Sequence, residues 1–206
     1  MRIQDMVVVY SKTILFFSGL LFFGCSSDLS PKDILEFGED QKNSFRKEKT
    51  IEPFMFVTQY KPVDYIIAME SQGADIESEF YQTRRKELGD EMHYFNFHIK
   101  PTDNSTSPLK YIVKSETEYN KIINYLAFEM QDDIYLLDGL DTLKCQLFHF
   151  TRNYDVTPNL DFVLGFEKRK KKDFVFVYDD QIFNTGTIKL KYSDNTLSQF
   201  PKLKIN

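Results

Sequence analysis

The chain has 206 residues, of which 26 are basic and 31 are acidic, so its formal net charge is −5. This mild acidity argues against nucleic acid as the main partner, because proteins that bind nucleic acid carry clustered basic residues. The length suits a domain with a substantial core, and 20 Phe with 12 Tyr but no Trp predict an aromatic one.

The N-terminal segment combines basic residues with a short apolar stretch. Arg2 and Lys12 precede the apolar residues 13–23. The stretch falls within the ~7–15 residues typical of a signal peptide and is shorter than the ~20 needed to span a bilayer. It therefore predicts a targeting signal and not a membrane-spanning helix.

Cys25 follows the small residue Gly24 and precedes a polar segment. The arrangement resembles the type II signal peptide of bacterial lipoproteins, which implies that residues 1–24 are removed and that Cys25 carries palmitate and other acyl chains. An ordinary cleaved signal peptide and an uncleaved apolar N-terminus are the alternatives. Either Met1 or Met6 is the start.

A lipid on Cys25 predicts attachment to the bacterial cell envelope, at the outer membrane and on its periplasmic or surface face. Two or more acyl chains hold a protein on a membrane stably, since each buried methylene contributes ~0.8 kcal/mol. The fold then needs no apolar surface of its own for the membrane. The predicted partners are the membrane, through this lipid, and an unidentified protein.

Cys145 is the second of two cysteines and has no intramolecular disulfide partner if Cys25 carries lipid. Leu143 and Leu147 are expected on the same face of its strand, which predicts a buried, unreactive thiol. The alternative is a nucleophile paired with His149. Residues four apart on a strand lie ~13 Å from each other, however, which is too far for a hydrogen bond.

Residues 25–51 are polar and charged, and their composition predicts a mobile tether. A short helix is expected within it at residues 31–37. Ser30 would cap that helix, and Pro31 would occupy its first position.

Beyond this segment the pattern predicts strands and helices in turn. A strand is expected at residues 53–60, one or two helices within 64–88, and a second strand at 91–100. A capping-box pattern at Ser115 predicts a further helix. Five more strands are predicted at residues 134–138, 143–151, 160–167, 174–178 and 187–192.

The predicted fold class is therefore α+β, with two or three helices in the N-terminal half and an antiparallel, β-rich C-terminal half. This half is expected to form a sandwich or an open sheet. Residues 52–206 are expected to form a single globular domain, with a subdivision near residue 132 as the alternative.

The segments 147–154 and 179–190 make the last third of the chain similar to small Gram-negative envelope lipoproteins of unknown function. The resemblance implies no catalytic residues.

Neither a metal nor a cofactor is predicted. His93 and His98 are five apart on one predicted strand, so they face opposite sides of the sheet and cannot share a metal. The acidic pairs 132–133 and 179–180 are expected to be turn residues, with calcium binding as the alternative. The chain lacks the P-loop, dinucleotide-binding, Gly-x-Ser-x-Gly and His-Glu-x-x-His motifs, so we predict no enzyme activity.

The densest charge cluster is a basic run between two predicted strands. It is expected to form the solvated tip of a hairpin, and contact with anionic headgroups or an acidic partner is the functional alternative. The run consists of Lys168, Arg169, Lys170, Lys171 and Lys172.

Asp141, Thr142 and Leu143 are similar to the acceptor pattern for O-glycosylation in some Gram-negative envelope proteins. Thr142 is therefore a candidate modification site.

Three functions fit these observations. The first hypothesis is a membrane-anchored, non-catalytic envelope lipoprotein that binds a protein partner as an accessory or assembly subunit. The alternatives are a lipoprotein that binds a glycan or another small ligand, and a hydrolase with an unrecognised site. A pocket lined by Tyr and Asn would favour the glycan or small ligand, whereas an exposed aromatic patch without a pocket would favour the partner.

Overall fold

A computed structural model describes residues 28–104, 106–152, 157–169 and 173–206 of the chain. Over these residues the chain forms an eight-stranded antiparallel sheet together with six α-helices, so the α+β class is confirmed. The predicted signal peptide, Cys25, Lys170, Lys171 and Lys172 lie outside the described residues.

The strands are β1 (Arg46–Ile51), β2 (Phe54–Lys61), β3 (Met92–Pro101), β4 (Ile134–Asp138), β5 (Asp141–Thr151), β6 (Leu160–Glu167), β7 (Phe174–Asp179) and β8 (Thr187–Tyr192). The helices are α1 (Pro31–Glu39), α2 (Val63–Glu70), α3 (Ser78–Leu88), α4 (Leu109–Ile112), α5 (Glu116–Asn124) and α6 (Asp194–Leu197). After α5 the chain continues through a π-helical turn, Tyr125–Glu129, and a 3₁₀ turn, Met130–Asp133.

The strand order in the sheet is β1-β2-β3-β6-β5-β4-β7-β8. The sheet curls until its two outer edges approach each other. The hydroxyl of Tyr192 on β8 lies 2.7 Å from Oγ1 of Thr58 on β2, and Nζ of Lys47 on β1 lies 5.8 Å from the centroid of the Tyr192 ring. The fold is therefore one strongly curled sheet and not a sandwich of two sheets.

The inner face of the sheet holds the main core. Along β3 the side chains alternate between the two faces as the sequence predicts, with Phe95 and Phe97 fully buried. The ring of Phe95 lies 5.6 Å from that of Phe176 on β7, and Phe97 lies 5.6 Å from Tyr178. Such aromatic pairs contribute ~0.5–1.5 kcal/mol each beyond the burial of their area.

The predicted tether is wrong for the described residues 28–51. The predicted short helix is confirmed as α1, with Ser30 Oγ accepting the backbone N–H of Asp33 at 3.2 Å. Ile34 in α1 is fully buried in a second apolar cluster with residues of α2 and α3. β1 pairs along its whole length with β2, so the predicted boundary at residue 52 lies within a hairpin.

The sequence hides β1 because this strand is at the edge of the sheet. An edge strand carries charged side chains that discourage pairing with other chains. The first four residues of β1, from Arg46 to Lys49, are all charged, and none of the six residues of this strand is buried. Their composition therefore resembles that of a solvated linker.

The helices are not confined to the N-terminal half. α5 lies beyond the midpoint of the chain, and α6 follows the last strand. In α6 the backbone N–H of Asp194 is held by the Asp173 carboxylate at 3.0 Å, a tertiary contact that no local pattern encodes.

Candidate functional site: a pocket beside helix α5

Helix α5 forms one wall of a pocket whose other wall is the end of the β5–β6 pair. Ser115 begins the helix, because its Oγ accepts the backbone N–H of Glu118 at 3.2 Å. The Glu118 carboxylate accepts the N–H of Lys114 at 2.7 Å, where the usual capping box would use the N–H of Ser115 itself. Both bonds satisfy N–H groups at the start of the helix.

The apolar side of α5 fixes which residues face the pocket. Ile122 and Ile123 pack against the main core, and Leu126 in the following π-helical turn is fully buried. Asn120 and Asn124 are four residues apart, so they lie on the same side of the helix, next to this apolar stripe. Asn120 and Asn124 therefore lie at the rim of the pocket.

The pocket has a volume of about 260 Å³. This is just below the ~300 Å³ at the lower end of ligand pockets, which suits a ligand with one ring. The lining residues are Ser107, Leu109, Tyr119, Asn120, Ile123, Asn124, Phe150, Thr151, Arg152, Thr157, Asn159 and Leu160.

The base of the pocket is apolar and rigid. Leu109 and Leu160 are buried, and Phe150 and Tyr119 are each partly buried against the core. The Phe150 ring stacks on Phe162 of β6, with a centroid distance of 5.1 Å and an interplanar angle of 25°. This contact holds the Phe150 ring in place while part of it remains accessible from the pocket.

The rim of the pocket offers polar groups that the described residues leave wholly or partly without a hydrogen bond. The amides of Asn120 and Asn159 make no side-chain hydrogen bond to the described part of the chain. The Nδ2 of Asn124 donates to Glu129 Oε1 at 2.8 Å, which leaves its oxygen available. Arg152 carries the one charge among the described lining residues. An uncharged polar ligand would find donors and acceptors on both sides.

A second, more open cleft lies on the outer face of the sheet, with a volume of about 450 Å³. His98 lines it, and its Nδ1 lies 2.5 Å from Oδ1 of Asp161 on the neighbouring strand. The Oδ1 of Asn96 beside it is buried and has no hydrogen-bond partner among the described residues. The Asp161 carboxylate fixes the His98 ring, but the described residues that line the cleft include no Ser, Thr or Cys as a nucleophile.

The structure keeps the predicted histidine separation. His93 faces the inner core, where its Nδ1 lies 3.1 Å from the Tyr60 hydroxyl, whereas His98 faces outward. Burial, with a smaller effect of the Lys168 charge, lowers the pKa of His93 to about 4. His93 is thus a hydrogen-bonded core residue. Within the described part of the chain, no three His, Cys, Asp or Glu side chains are grouped to hold a metal ion.

Cys145 is buried as predicted, and burial raises the pKa of its thiol to about 12. The expected environment is wrong in one respect. A β-bulge between Cys145 and Leu147 turns Leu147 to the outer face, where its side chain is 41% exposed. The bulge also places Cys145 and His149 on opposite faces, because His149 aligns with the outward-facing Val163. That the Cys145 thiol is unreactive stays a prediction.

The basic run is not at a hairpin tip, and that prediction is wrong. β6 and β7 are separated in the sheet by β5 and β4, so these two strands do not pair as a hairpin. Lys168 and Arg169 are exposed, and Nη1 of Arg169 lies 3.1 Å from Oδ2 of Asp141 at the start of β5. Their contact with an acidic partner stays a prediction.

Two further candidates are placed by the structure. Thr142 is exposed beside the β4–β5 turn, where a modifying enzyme would reach it, and its glycosylation stays a prediction. Asp180 is a structural turn residue, because its carboxylate accepts the backbone N–H groups of Ile182, Phe183 and Thr185 at 2.6–3.0 Å.

Sequence reasoning missed the pocket residues themselves. The pair Asn120 and Asn124, at helical spacing beside an apolar stripe, was an available signal. Arg152 and Asn159 come from the other wall, and only the packing of α5 on the β5–β6 pair brings them near the helix.

No protein-family model matches the chain, and no curated protein matches it. Among solved structures, the chain is similar to a DUF4426 family protein from Pseudomonas aeruginosa, at 6% identity and a TM-score of 0.36. The match covers 72% of this chain and 92% of that one. A likeness this distant supports no statement about function. Among the described residues, no helix has the length and apolar character needed to cross a bilayer.

Proposed function

We propose that this protein is a lipid-anchored protein of the bacterial envelope whose globular domain binds a small polar ligand with one ring, such as a monosaccharide. The site is the pocket beside α5. The observation that carries the proposal is the combination of two Asn amides, those of Asn120 and Asn159, that make no hydrogen bond to the described residues, with two partly accessible aromatic rings, Tyr119 and Phe150.

The chemistry of the lining suits a sugar. A sugar hydroxyl both donates and accepts hydrogen bonds, and an Asn amide offers two donors and an acceptor within one side chain. The hydroxyl of Ser107 accepts the backbone N–H of Leu109 at 3.4 Å and can still donate to a ligand. The C–H faces of a sugar ring can pack on Tyr119 and Phe150, a role that falls to Tyr and Phe in a chain without Trp.

The polar rim also favours selectivity for such a ligand. A donor or acceptor that is buried by a ligand without a new partner costs ~1–3 kcal/mol. A purely apolar ligand would cover the amides of Asn120 and Asn159 and leave them unpaired. A ligand with hydroxyls would replace the water on those amides with bonds of its own.

Binding of a protein partner is the second candidate function. Phe128, in the π-helical turn after α5, is 73% exposed, and π-helical turns are frequent at functional sites. An interaction patch needs several adjoining apolar side chains, however, and Leu140, which is fully exposed, lies apart from it in the β4–β5 turn. The pocket therefore carries the stronger argument.

Replacing Asn120 with Leu is expected to weaken monosaccharide binding by about tenfold, since one amide contact to the ligand is lost. The control is Asn195→Leu, an exposed Asn in α6 that is not part of the pocket lining. Isothermal titration calorimetry with glucose and N-acetylglucosamine measures both variants. Equal binding by wild type and Asn120→Leu would remove this pocket as the site.

The anchor on Cys25 is tested separately. Only residues 26 and 27 separate Cys25 from the described fold, and a residue spans at most ~3.6 Å, so a lipid there would hold the domain within about 10 Å of the membrane. Cys25→Ser is expected to give an uncleaved precursor or a released form, seen by membrane fractionation and mass spectrometry. Cys145→Ser is the control and should still be anchored. A Cys25→Ser protein that still fractionates as mature and detergent-extractable would contradict the anchor.

A further inference from the structure

We infer that the ligand of this pocket carries a carboxylate and that Arg152 binds it, so that the preferred class is an acidic sugar. The inference deepens the proposed function and rests on it. It concerns the charge of the ligand, because the uncharged amides and aromatic rings of the pocket do not select for a charged group.

Arg152 is placed at the mouth of the pocket by the sheet. It follows Thr151, the last residue of β5, which aligns with Asp161 on β6. The side chain of Arg152 is exposed and lines the pocket, and it makes no ion pair with any residue that the structure describes. Within the described residues, therefore, no carboxylate competes with a ligand for its guanidinium donors.

Neighbouring carboxylates are engaged elsewhere. Asp161 lies on the outer face of the sheet and holds His98 at 2.5 Å. Glu129, the acid that contacts the rim, accepts the hydrogen bond from Asn124. The described lining contains no Asp or Glu at all. A bound carboxylate would thus meet one guanidinium and no opposing charge among the described lining residues.

The positive charge of Arg152 at the mouth of the pocket does not follow from the overall composition of the chain. The whole chain has a net charge of −5, so a randomly placed pocket would be expected to carry an acid as often as a base. Here the twelve lining residues that the structure describes include one cation and no anion. The acidic remainder of the protein repels anions at long range, and discrimination must come from Arg152 at contact distance.

Arginine suits a carboxylate better than lysine does. Its planar group presents parallel N–H donors that match the two oxygens of a carboxylate, and such charge-assisted pairs are roughly twice as strong as neutral hydrogen bonds. The Asn side chains of the rim would bind the ring hydroxyls while Arg152 binds the acid group.

The experiment compares sugars that differ in one carboxylate. Glucuronate is measured against glucose, and N-acetylmuramate against N-acetylglucosamine, by isothermal titration calorimetry on the mature protein in detergent. The acidic member of each pair is expected to bind about tenfold more tightly, and added salt should reduce that advantage. Arg152→Gln is expected to remove the advantage, so the acidic sugars should lose more affinity than the neutral sugars do. Arg152→Lys should keep only part of it.

The control is Lys189→Gln, which removes an exposed cation on β8 and should change nothing. Equal binding of the acidic and neutral sugars in wild type, or equal losses for both in Arg152→Gln, would overturn the carboxylate assignment and leave the pocket standing. Absence of binding by all four sugars would overturn both the assignment and the proposed sugar function.

Discussion

Replacing Asp180 with Ala is expected to lower the free energy of unfolding by roughly 3–5 kcal/mol, one of the largest effects available at a single polar residue. The carboxylate sits at the end of β7 and organises the loop that leads to β8. Its Oδ1 accepts the N–H groups of Ile182 and Phe183, and its Oδ2 accepts the N–H and the hydroxyl of Thr185. The Tyr178 hydroxyl donates to Oδ1 at 3.1 Å.

The cost arises because one carboxylate satisfies three backbone N–H groups, those of Ile182, Phe183 and Thr185, that have no other partner in the described structure. Hydrogen bonds to a charged group contribute ~1.5–3 kcal/mol each, and donors left unsatisfied add a desolvation penalty. The loop also positions Phe183, which is buried and packs on Phe54 at a ring distance of 4.7 Å. Loss of the carboxylate would loosen this aromatic contact as well.

Urea unfolding followed by circular dichroism measures the change. The matched control is Asp132→Ala, which removes an exposed acid and is expected to shift stability by less than ~0.5 kcal/mol. Asp180→Asn, which keeps one acceptor oxygen, should fall between the two. A loss below about 1 kcal/mol for Asp180→Ala would mean that water replaces the carboxylate without cost.

Replacing Ile34 with Ala is expected to cost ~2–5 kcal/mol, as for other fully buried aliphatic side chains. Ile34 is 0% exposed and packs with Tyr65 and Ile67 of α2 and with Leu203 near the C-terminus. The substitution removes apolar contacts and leaves a cavity, because α1 is held at both ends. Its last turn is fixed to the sheet by Gln59, whose Nε2 donates to the Gly38 carbonyl at 2.7 Å.

Thermal unfolding of Ile34→Ala beside Glu36→Ala measures the effect. Glu36 is exposed on the same helix, so its loss should be nearly neutral. If Ile34→Ala is as stable as Glu36→Ala, α1 is not docked and the tether predicted from composition is correct after all.

The sequence predicts most of the strands because their patterns are local. β3 alternates strictly, and β4 to β8 are short apolar segments between turn residues, so each was expected near its observed bounds. β1 was missed because its charged side chains belong to an edge strand. The insertion of β6 between β3 and β5 could not be predicted, since it depends on pairing between residues as distant as Phe97 and Phe162.

Local pattern also fails where a single residue changes the register. The bulge after Cys145 turns every later side chain of β5 to the other face, and this reverses the expected position of Leu147. The same limit applies to the pocket. Asn120 belongs to a helix that the capping pattern predicts, but Arg152 and Asn159 reach it only through tertiary packing.

The most direct test of the proposed site is a map of backbone amide shifts by ¹H–¹⁵N NMR during titration with glucuronate. The pocket predicts saturable shifts confined to residues 107–109, 119–124, 150–152 and 157–160, and their loss in Asn120→Leu. Shifts centred instead on His98 and Asp161 in the outer cleft, or no saturable shifts at all, would contradict the assignment of the ligand to the pocket beside α5.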